Sequence, residues 1–255
     1  MLKVGVFLGS FRLGVKSGLD KCRELKLDGI ELTDIPDEVV IERLTGTEIR
    51  GLKDLIGSYG LALSSTCGDL GGHQFTDESD VEERIVRTKK IMDNTRALGC
   101  GIVQTHIGSI PEDRGSKSWK VMQYAMDILG AHGDKIGCCL ATETGPEEPA
   151  LMKEFLDQVK HDSIKVNYDP ANLAMKGFDQ IGGVSVLQKY IVQTHAKDGR
   201  KNNGEVPLGD GDVNFPEYLK ALVGIGFKGF YIIEREVGAD PVVDIAKAVE
   251  FLRKF

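Results

Sequence analysis

The sequence lacks several patterns that would assign it directly to a class of protein. Its five cysteines are odd in number and form no Cys-x-x-Cys or zinc-ribbon spacing, which favours reduced thiols in a cytosolic protein. No low-complexity tract and no linker rich in proline, glycine or serine divides the chain. No Gly-x-Gly-x-x-Gly or Walker A turn follows the first apolar run, so the sequence gives no sign of a nucleotide-phosphate turn.

Basic residues are also fewer than acidic residues. The chain has 32 Lys and Arg residues against 39 Asp and Glu residues, a formal net charge of −7. Binding to a nucleic-acid backbone needs a basic surface, so we expect neither a nucleic-acid partner nor an anionic membrane surface. The first apolar run is too short for a membrane span, and Arg12 follows that run instead of preceding it as in a secretory signal. We therefore expect a cytoplasmic protein.

What the sequence does have is a regular alternation of two kinds of segment. Eight short, apolar, β-rich runs occur at 3–9, 29–33, 61–66, 101–107, 138–144, 164–169, 190–195 and 229–234. Longer segments with helical periodicity separate them, such as 77–99. A doubly wound sheet would alternate in the same way, but eight strand–helix units in about 250 residues favour closure. We predict an α/β protein in which residues 1–255 form a single (β/α)8 TIM barrel.

Four consecutive predicted strands end in a side chain that can bind a metal: Glu143, Asp169, His195 and Glu234. In a closed parallel barrel these ends lie at one mouth, where catalytic groups are found. Any one of the acidic ends could instead be a helix N-cap or a surface residue. Three buried carboxylates with no nearby inward cation would repel one another, so a divalent metal is the economical explanation. Three oxygen ligands and one nitrogen suit Mn²⁺, Mg²⁺ or Co²⁺ better than a thiolate-bound structural Zn²⁺.

The motifs "ATETG", "NYDPAN", "THAKDGR", "VPLGDGDVNF" and "IIERE" occur in that order. In this respect the chain resembles the xylose isomerase-like barrel superfamily of sugar (phosphate) isomerases and epimerases, which also includes the endonuclease IV type of DNA-repair enzyme. The resemblance implies that Glu143, Asp169, His195 and Glu234 bind one catalytic metal, first of all Mn²⁺, with Mg²⁺, Co²⁺ and Zn²⁺ as alternatives. It also implies that Glu143 and Glu234 form an acid/base pair on opposite faces of the substrate, and that a homodimer or homotetramer is plausible.

The same resemblance suggests residues that bind the substrate. Related epimerases hold substrate oxygens with a basic residue after the last histidine motif, where Arg200 and Lys201 both qualify and the forked donors of Arg200 are preferred. Glu148 either holds a hydroxyl group or lies on the surface. Asn172 stands where many relatives have a histidine, and we expect it to hydrogen-bond a sugar hydroxyl. Because asparagine is a poor zinc ligand, a trinuclear zinc cluster and cleavage of DNA are not expected.

The pentapeptide "IVQTH" occurs twice, at 102–106 and at 191–195. We interpret the repeat as two inner strands of one barrel, with different functions for the two histidines. His195 is predicted to bind the metal. His106 has no evident carboxylate on the preceding strand, where Cys67 and Gly68 stand, so we expect it to hydrogen-bond the substrate, with core packing as the alternative. Lys197 and Asp198, just after the second copy, either pair with each other or face the substrate.

The four candidate ligands are suited to removing a proton from a carbon next to a carbonyl group and to returning it. A divalent metal that chelates the carbonyl and a neighbouring hydroxyl oxygen stabilises the enediolate, while one carboxylate removes the proton and another returns it. The leading hypothesis is therefore a metal-dependent sugar, sugar-phosphate or keto-sugar isomerase or epimerase. A keto-sugar dehydratase or lyase would use the same enediolate, and a non-catalytic sugar-binding barrel is the third alternative.

Overall fold

A computed structural model describes all 255 residues and consists of a closed barrel of eight parallel strands surrounded by helices. The barrel strands are β1 (Lys3–Phe7), β2 (Gly29–Leu32), β3 (Ala62–Cys67), β4 (Ile102–Thr105), β5 (Cys139–Glu143), β6 (Ile164–Tyr168), β7 (Ile191–Ala196) and β10 (Phe230–Ile233). Two further strands, β8 (Asp198–Arg200) and β9 (Gly204–Val206), form a separate antiparallel pair. Strand β1 pairs with both β2 and β10, which closes the barrel. The predicted (β/α)8 TIM barrel is confirmed, and each strand overlaps its predicted run, with β3 and β7 extending one residue beyond theirs.

The helices follow the strands in the order that the periodicity indicates. They are α1 (Val15–Glu24), α2 (Gly46–Ser58), α3 (Val81–Ala97), α4 (Lys117–Ile136), α5 (Pro149–Leu156), α6 (Pro170–Lys176), α7 (Gly182–Val186), α8 (Phe215–Gly224) and α9 (Pro241–Leu252). Helices α5, α6, α8 and α9 have proline in the first turn, where its missing N–H costs nothing. None of the helices is long and apolar enough to cross a membrane.

The hydrophobic core lies between the barrel and the helices, while the inside of the barrel is polar near its mouth. Side chains alternate along each strand, so Leu140 and Val166 join the outer core. Their inward neighbours include the fully or almost fully buried Gln104, Asn167 and Gln193. Buried polar groups need hydrogen-bond partners, and the side-chain N–H groups of these three amides donate to buried carboxylates, as described below.

The carboxylate of Asp198 fixes the glycine-rich loop 208–212 beside the barrel mouth. It accepts hydrogen bonds from the backbone N–H groups of Gly199 (2.9 Å), Gly209 (3.0 Å), Gly211 (2.9 Å) and Val213 (3.2 Å). The side chain is almost completely buried. Asp198 therefore holds the loop in place and does not pair with Lys197, whose ammonium group donates to other carboxylates.

We expect Asp198→Ala to lower the free energy of unfolding by about 3 kcal/mol, because several N–H groups lose a charged acceptor at once. Asp198→Asn keeps one acceptor oxygen and should lose less. Asp210→Ala removes an exposed carboxylate from the same loop and is the matched control. Urea unfolding of the three variants measures the effect, and equal stability of the Asp198→Ala and Asp210→Ala proteins would contradict it.

Candidate metal centre

The four predicted ligands converge at the barrel mouth. One ligand atom from each of Glu143, Asp169, His195 and Glu234 lies within 4.8 Å of every other. The Nδ1 atom of His195 is 3.2 Å from Glu234 Oε2, 3.4 Å from Glu143 Oε2 and 3.8 Å from Asp169 Oδ2. All four residues are buried, His195 and Asp169 completely. Three carboxylates and an imidazole therefore face one common point.

Two atoms of this cluster have no hydrogen-bond partner although they are buried. They are Asp169 Oδ2 and His195 Nδ1. The other carboxylate oxygen of Asp169 caps α6 by accepting from the N–H groups of Ala171 (2.8 Å) and Asn172 (3.1 Å), so Asp169 is both a helix cap and a cluster member. Buried polar atoms rarely remain unpaired. Because both atoms belong to the same cluster of ligand atoms, they fit a site for a divalent cation with oxygen and nitrogen ligands. This cluster could therefore bind a metal.

A buried cation corrects the expectation that no inward positive charge lies near the carboxylates. The Nζ atom of Lys197 is 2.8 Å from Glu234 Oε2, 2.7 Å from Glu236 Oε2 and 3.6 Å from Asp169 Oδ2, and its side chain is only 2% exposed. Side chains alternate along β7, so Lys197 follows His195 into the barrel mouth. The lysine offsets one of the three ligand carboxylates. Two negative charges remain, which a divalent cation would balance.

Opposite charges at short range shift the pKa values within the cluster. Burial opposes ionisation, yet the positive charges of His195 and Lys197 lower the pKa of Glu234 below its usual range. Burial raises the pKa of Asp169, and Lys197 offsets only part of this effect. Burial also disfavours the charged imidazole, but the carboxylates of Glu234 and Glu143 raise the pKa of His195 well above its usual value. A cation that binds here therefore competes with a proton on His195.

Glu143 is held by three side-chain amides. Gln104 Nε2 donates to its Oε2 at 2.6 Å and Asn167 Nδ2 donates to the same oxygen at 3.2 Å. Asn172 Nδ2 donates to Oε1 at 2.7 Å and to the carbonyl oxygen of Thr144 at 3.1 Å. Asn172, which the sequence analysis assigned to the substrate, thus orients Glu143 directly. Its predicted contact with a sugar hydroxyl stays a prediction.

His106 does have a carboxylate partner, which corrects the sequence analysis. Asp69 lies two residues beyond the end of β3, and its Oδ2 atom is 2.7 Å from His106 Nδ1. Asp69 Oδ1 also accepts from the backbone N–H of His106 at 2.6 Å, so the same carboxylate holds backbone and ring. Burial opposes protonation, but the hydrogen bond that His106 donates to Asp69 raises the pKa of His106 to about 9. The Nε2 atom lies 3.7 Å from Glu143 Oε1.

A polar cavity of about 540 Å³ opens beside His106 and Glu143. Side chains that can hydrogen-bond a polyhydroxyl ligand contribute to its wall: His73, Gln74, Thr76, Ser109 and Ser118. Its volume lies within the usual range for small-molecule sites. Of the four candidate metal ligands, Glu143 is the one that lines this cavity. A substrate would therefore approach the cluster from the side of β3 and β4.

Three predicted substrate-binding residues lie outside the cluster. Arg200 ends β8, and its guanidinium group donates to the carbonyl oxygen of Asp210 from Nε (2.9 Å) and Nη2 (2.6 Å). Lys201 is exposed in the turn after β8, and Glu148 is exposed at the start of α5. None of the three makes a hydrogen bond or an ion pair with the four ligands. Their predicted contacts with substrate oxygens stay predictions.

The buried carboxyl group in this loop belongs to Glu147, the residue before Glu148. Glu147 is 8% exposed and faces the backbone N–H of Ile110 at 3.4 Å. Burial raises the pKa of Glu147 from 4.5 to about 7. The folded state therefore binds this proton more tightly than the unfolded state, so Glu147 lowers stability as the pH rises from about 4.5 to about 7.

We expect Glu147→Gln to raise the free energy of unfolding by about 3 kcal/mol at pH 8 and to have little effect below pH 4.5. Urea unfolding at a series of pH values measures the difference. Glu148→Gln, which changes the exposed neighbouring carboxylate, is the matched control. A stabilisation by Glu147→Gln that is the same at low and high pH would contradict the assignment.

The two copies of the repeated pentapeptide place equivalent glutamines inside the barrel. Gln104 donates to Glu143, and Gln193 donates to Glu31, a completely buried residue of β2. Sequence analysis missed Glu31, although an acid within the apolar run 29–33 was a visible signal. The repeat is therefore architectural, since each glutamine satisfies a buried carboxylate one layer below a histidine at the mouth.

Residues 19–255 match the family model described as "Xylose isomerase-like TIM barrel", and the chain belongs to this family. No curated protein matches the chain by sequence. Among solved structures, a xylose isomerase domain protein from Planctomyces limnophilus has a TM-score of 0.85 at 24% identity, covering 99% of this chain and 96% of its own.

Two other solved structures have enzyme names. The "probable 3-DHS dehydratase AsbF" from Bacillus anthracis has a TM-score of 0.81 at 16% identity, covering 99% of both chains. A D-psicose 3-epimerase from Clostridium cellulolyticum H10 has a TM-score of 0.80 at 14% identity, also covering 99% of both chains. At these identities the likeness shows a shared fold.

Proposed function

We propose that this protein is a metal-dependent isomerase or epimerase that acts on a small sugar, keto-sugar or sugar phosphate. One observation carries the proposal: Glu143, Asp169, His195 and Glu234 converge within 4.8 Å beside a polar cavity. Membership of the xylose isomerase-like family supports it, and so does the epimerase among the structural neighbours. We further propose that residues 1–255 act as one domain, as a homodimer or homotetramer.

The cation we propose is Mn²⁺, with Mg²⁺, Co²⁺ and Zn²⁺ as alternatives, held by the three carboxylates and by Nδ1 of His195. When bound, a divalent cation would polarise the carbonyl oxygen of the substrate as a Lewis acid. Because Lys197 offsets one of the three carboxylates, the cluster keeps two negative charges, which match the two positive charges of the cation.

The chain's own side chains divide the proton transfer between them. Glu143 lines the cavity, so its carboxylate is placed to remove a proton from the carbon next to the carbonyl group. Glu234 directly follows β10, three strands further round the barrel from β5, and would return a proton on the other face. His106, oriented by Asp69, points Nε2 towards the cavity and would donate a hydrogen bond to a substrate oxygen. Arg200, Lys201, Glu148 and Asn172 are the further candidates for substrate contacts.

A keto-sugar dehydratase or lyase is the second candidate. The pairing of His106 with Asp69 beside the cavity favours it, because an oriented imidazole could deliver a proton to a departing hydroxyl group. The dehydratase among the structural neighbours has the same fold.

One experiment separates these functions. The purified protein is assayed for bound metal and then incubated with a panel of ketoses and their phosphates in deuterated water, with and without a chelator. When the metal is present, an aldose–ketose isomerase incorporates deuterium at C1 of the ketose and C2 of the aldose product, and a 3-epimerase incorporates it at C3; without the metal neither exchange occurs. A dehydratase gives rising ultraviolet absorbance from a new enone, and a binding barrel binds a ligand without exchange. Full activity without any metal would contradict the proposal.

A further inference from the structure

Glu31 is a buried carboxylate that the proposed reaction does not use. It lies in β2, is 0% exposed, and accepts a hydrogen bond from Gln193 Nε2 through its Oε2 atom. The same oxygen is 3.3 Å from Nε2 of His195. Its second oxygen, Oε1, has no hydrogen-bond partner. A carboxylate this deeply buried is costly unless it receives hydrogen bonds, which raises the question of what Glu31 holds.

The two ring nitrogens of His195 face different surroundings. Nδ1 faces the carboxylates of Glu143, Asp169 and Glu234, the common point of the metal cluster. Nε2 faces away from that point, 3.3 Å from the carboxylate oxygen Oε2 of Glu31 and 3.1 Å from the amide nitrogen Nδ2 of Asn167, which donates to Glu143. Phe7 packs edge-on against the ring, at 6.4 Å between centroids, and restricts its rotation. The ring is therefore held with Nδ1 towards the cluster and Nε2 towards Glu31.

Binding of a cation through Nδ1 requires one particular form of the neutral imidazole. A neutral ring carries one proton, on Nδ1 or on Nε2. With the proton on Nδ1, the lone pair of Nε2 would face a buried carboxylate oxygen and no lone pair would remain for a cation. With the proton on Nε2, the ring donates to Glu31 and presents its lone pair to the cluster. Histidines that bind metals usually donate their other N–H to such a partner.

We propose that Glu31 is a positioning residue that fixes the Nε2–H form of His195 and so presents Nδ1 to a divalent cation. The inference rests on the proposed metal-dependent function but concerns a residue outside the ligand set. It predicts that Glu31 controls metal affinity without contacting the metal.

Glu31→Gln keeps the size of the side chain and removes the charge that accepts from His195. We expect its dissociation constant for Mg²⁺ or Mn²⁺, measured by isothermal titration calorimetry on the full chain, to rise 10- to 100-fold. Glu24→Gln makes the same change at an exposed glutamate at the end of α1, and it should change the constant less than about threefold because solvent and salt weaken longer-range charge effects. Equal affinities of wild type and Glu31→Gln would contradict this inference alone.

A second measurement needs no change at Glu31. In ¹⁵N-histidine-labelled wild type loaded with Mg²⁺, we expect the His195 ring to carry its proton on Nε2, with that signal assigned by its loss in His195→Asn. Binding through Nδ1 requires this form, so the measurement tests the ring orientation on which the function of Glu31 depends. A ring protonated on Nδ1 would overturn the inference, and wild-type protein that binds no divalent cation would overturn both this inference and the proposed function.

Discussion

Glu143→Gln is expected to lower kcat for deuterium exchange into the substrate by about 10³-fold or more, because general acid–base catalysis contributes about 10²- to 10⁴-fold and a ligand charge is lost as well. Glutamine nearly matches glutamate in size, and its remaining side-chain oxygen can still accept hydrogen bonds from the amides of Gln104, Asn167 and Asn172. The fold should therefore survive the substitution. Metal affinity should fall at the same time, since one anionic oxygen ligand is replaced by a neutral one.

The comparison with a matched glutamate makes this result specific. Glu154→Gln changes a half-buried carboxylate on α5 that pairs with Arg114 and has no contact with the four candidate ligands, and it should keep wild-type exchange. Unfolding curves and circular dichroism of both variants check that they are folded. Exchange by Glu143→Gln at more than a tenth of the wild-type rate would show that another group removes the proton.

Lys197→Met is expected to lower the free energy of unfolding of the metal-free protein by about 3–5 kcal/mol, because removing one partner leaves buried charge uncompensated. The ammonium group contacts Glu234, Glu236 and Asp169. Glu234 and Asp169 would lose their buried cation, while methionine fills much of the same volume. Urea unfolding in the presence of a chelator measures the loss.

A divalent cation should restore part of this loss, since it would neutralise the same carboxylates. Adding Mg²⁺ or Mn²⁺ is therefore expected to stabilise Lys197→Met more than it stabilises wild type. Lys201→Met, at an exposed lysine four residues later, is the control and should stay within about 0.5 kcal/mol of wild type. A loss for Lys197→Met no greater than for this control would mean that the buried ammonium group does not hold the cluster together.

Periodicity was sufficient to predict the barrel because each strand of a closed parallel sheet reads as a short apolar run with an obligatory helix after it. The four candidate ligands were predictable for a related reason. Each is the polar residue that ends such a run, and barrel closure brings those ends together regardless of the helices between them. Glu143 and His195 therefore needed no knowledge of side-chain packing.

The partners of these residues depend on local geometry that periodicity does not contain. Asp69 reaches His106 because the chain continues alongside β4 after β3 ends, with the backbone N–H of Gly68 donating to the carbonyl oxygen of Gln104 at 2.7 Å, which no residue pattern in that stretch specifies. The inward direction of Lys197 could have been predicted from the alternation of side chains, since it follows His195 at the next inward position. However, a charged residue after a strand is more often exposed. Glu31 was hidden in an apolar run, and only the closed barrel brings it beside His195, 164 positions later.

The most direct test of the proposed reaction is deuterium incorporation at C1 or C3 of a ketose in deuterated water, measured by nuclear magnetic resonance before and after the metal is removed and restored. The account predicts exchange with the metal-loaded protein, its loss on chelation, and its return when Mn²⁺ is added back. Exchange that continues at the full rate after the metal has been removed would contradict a metal-dependent reaction at Glu143, Asp169, His195 and Glu234.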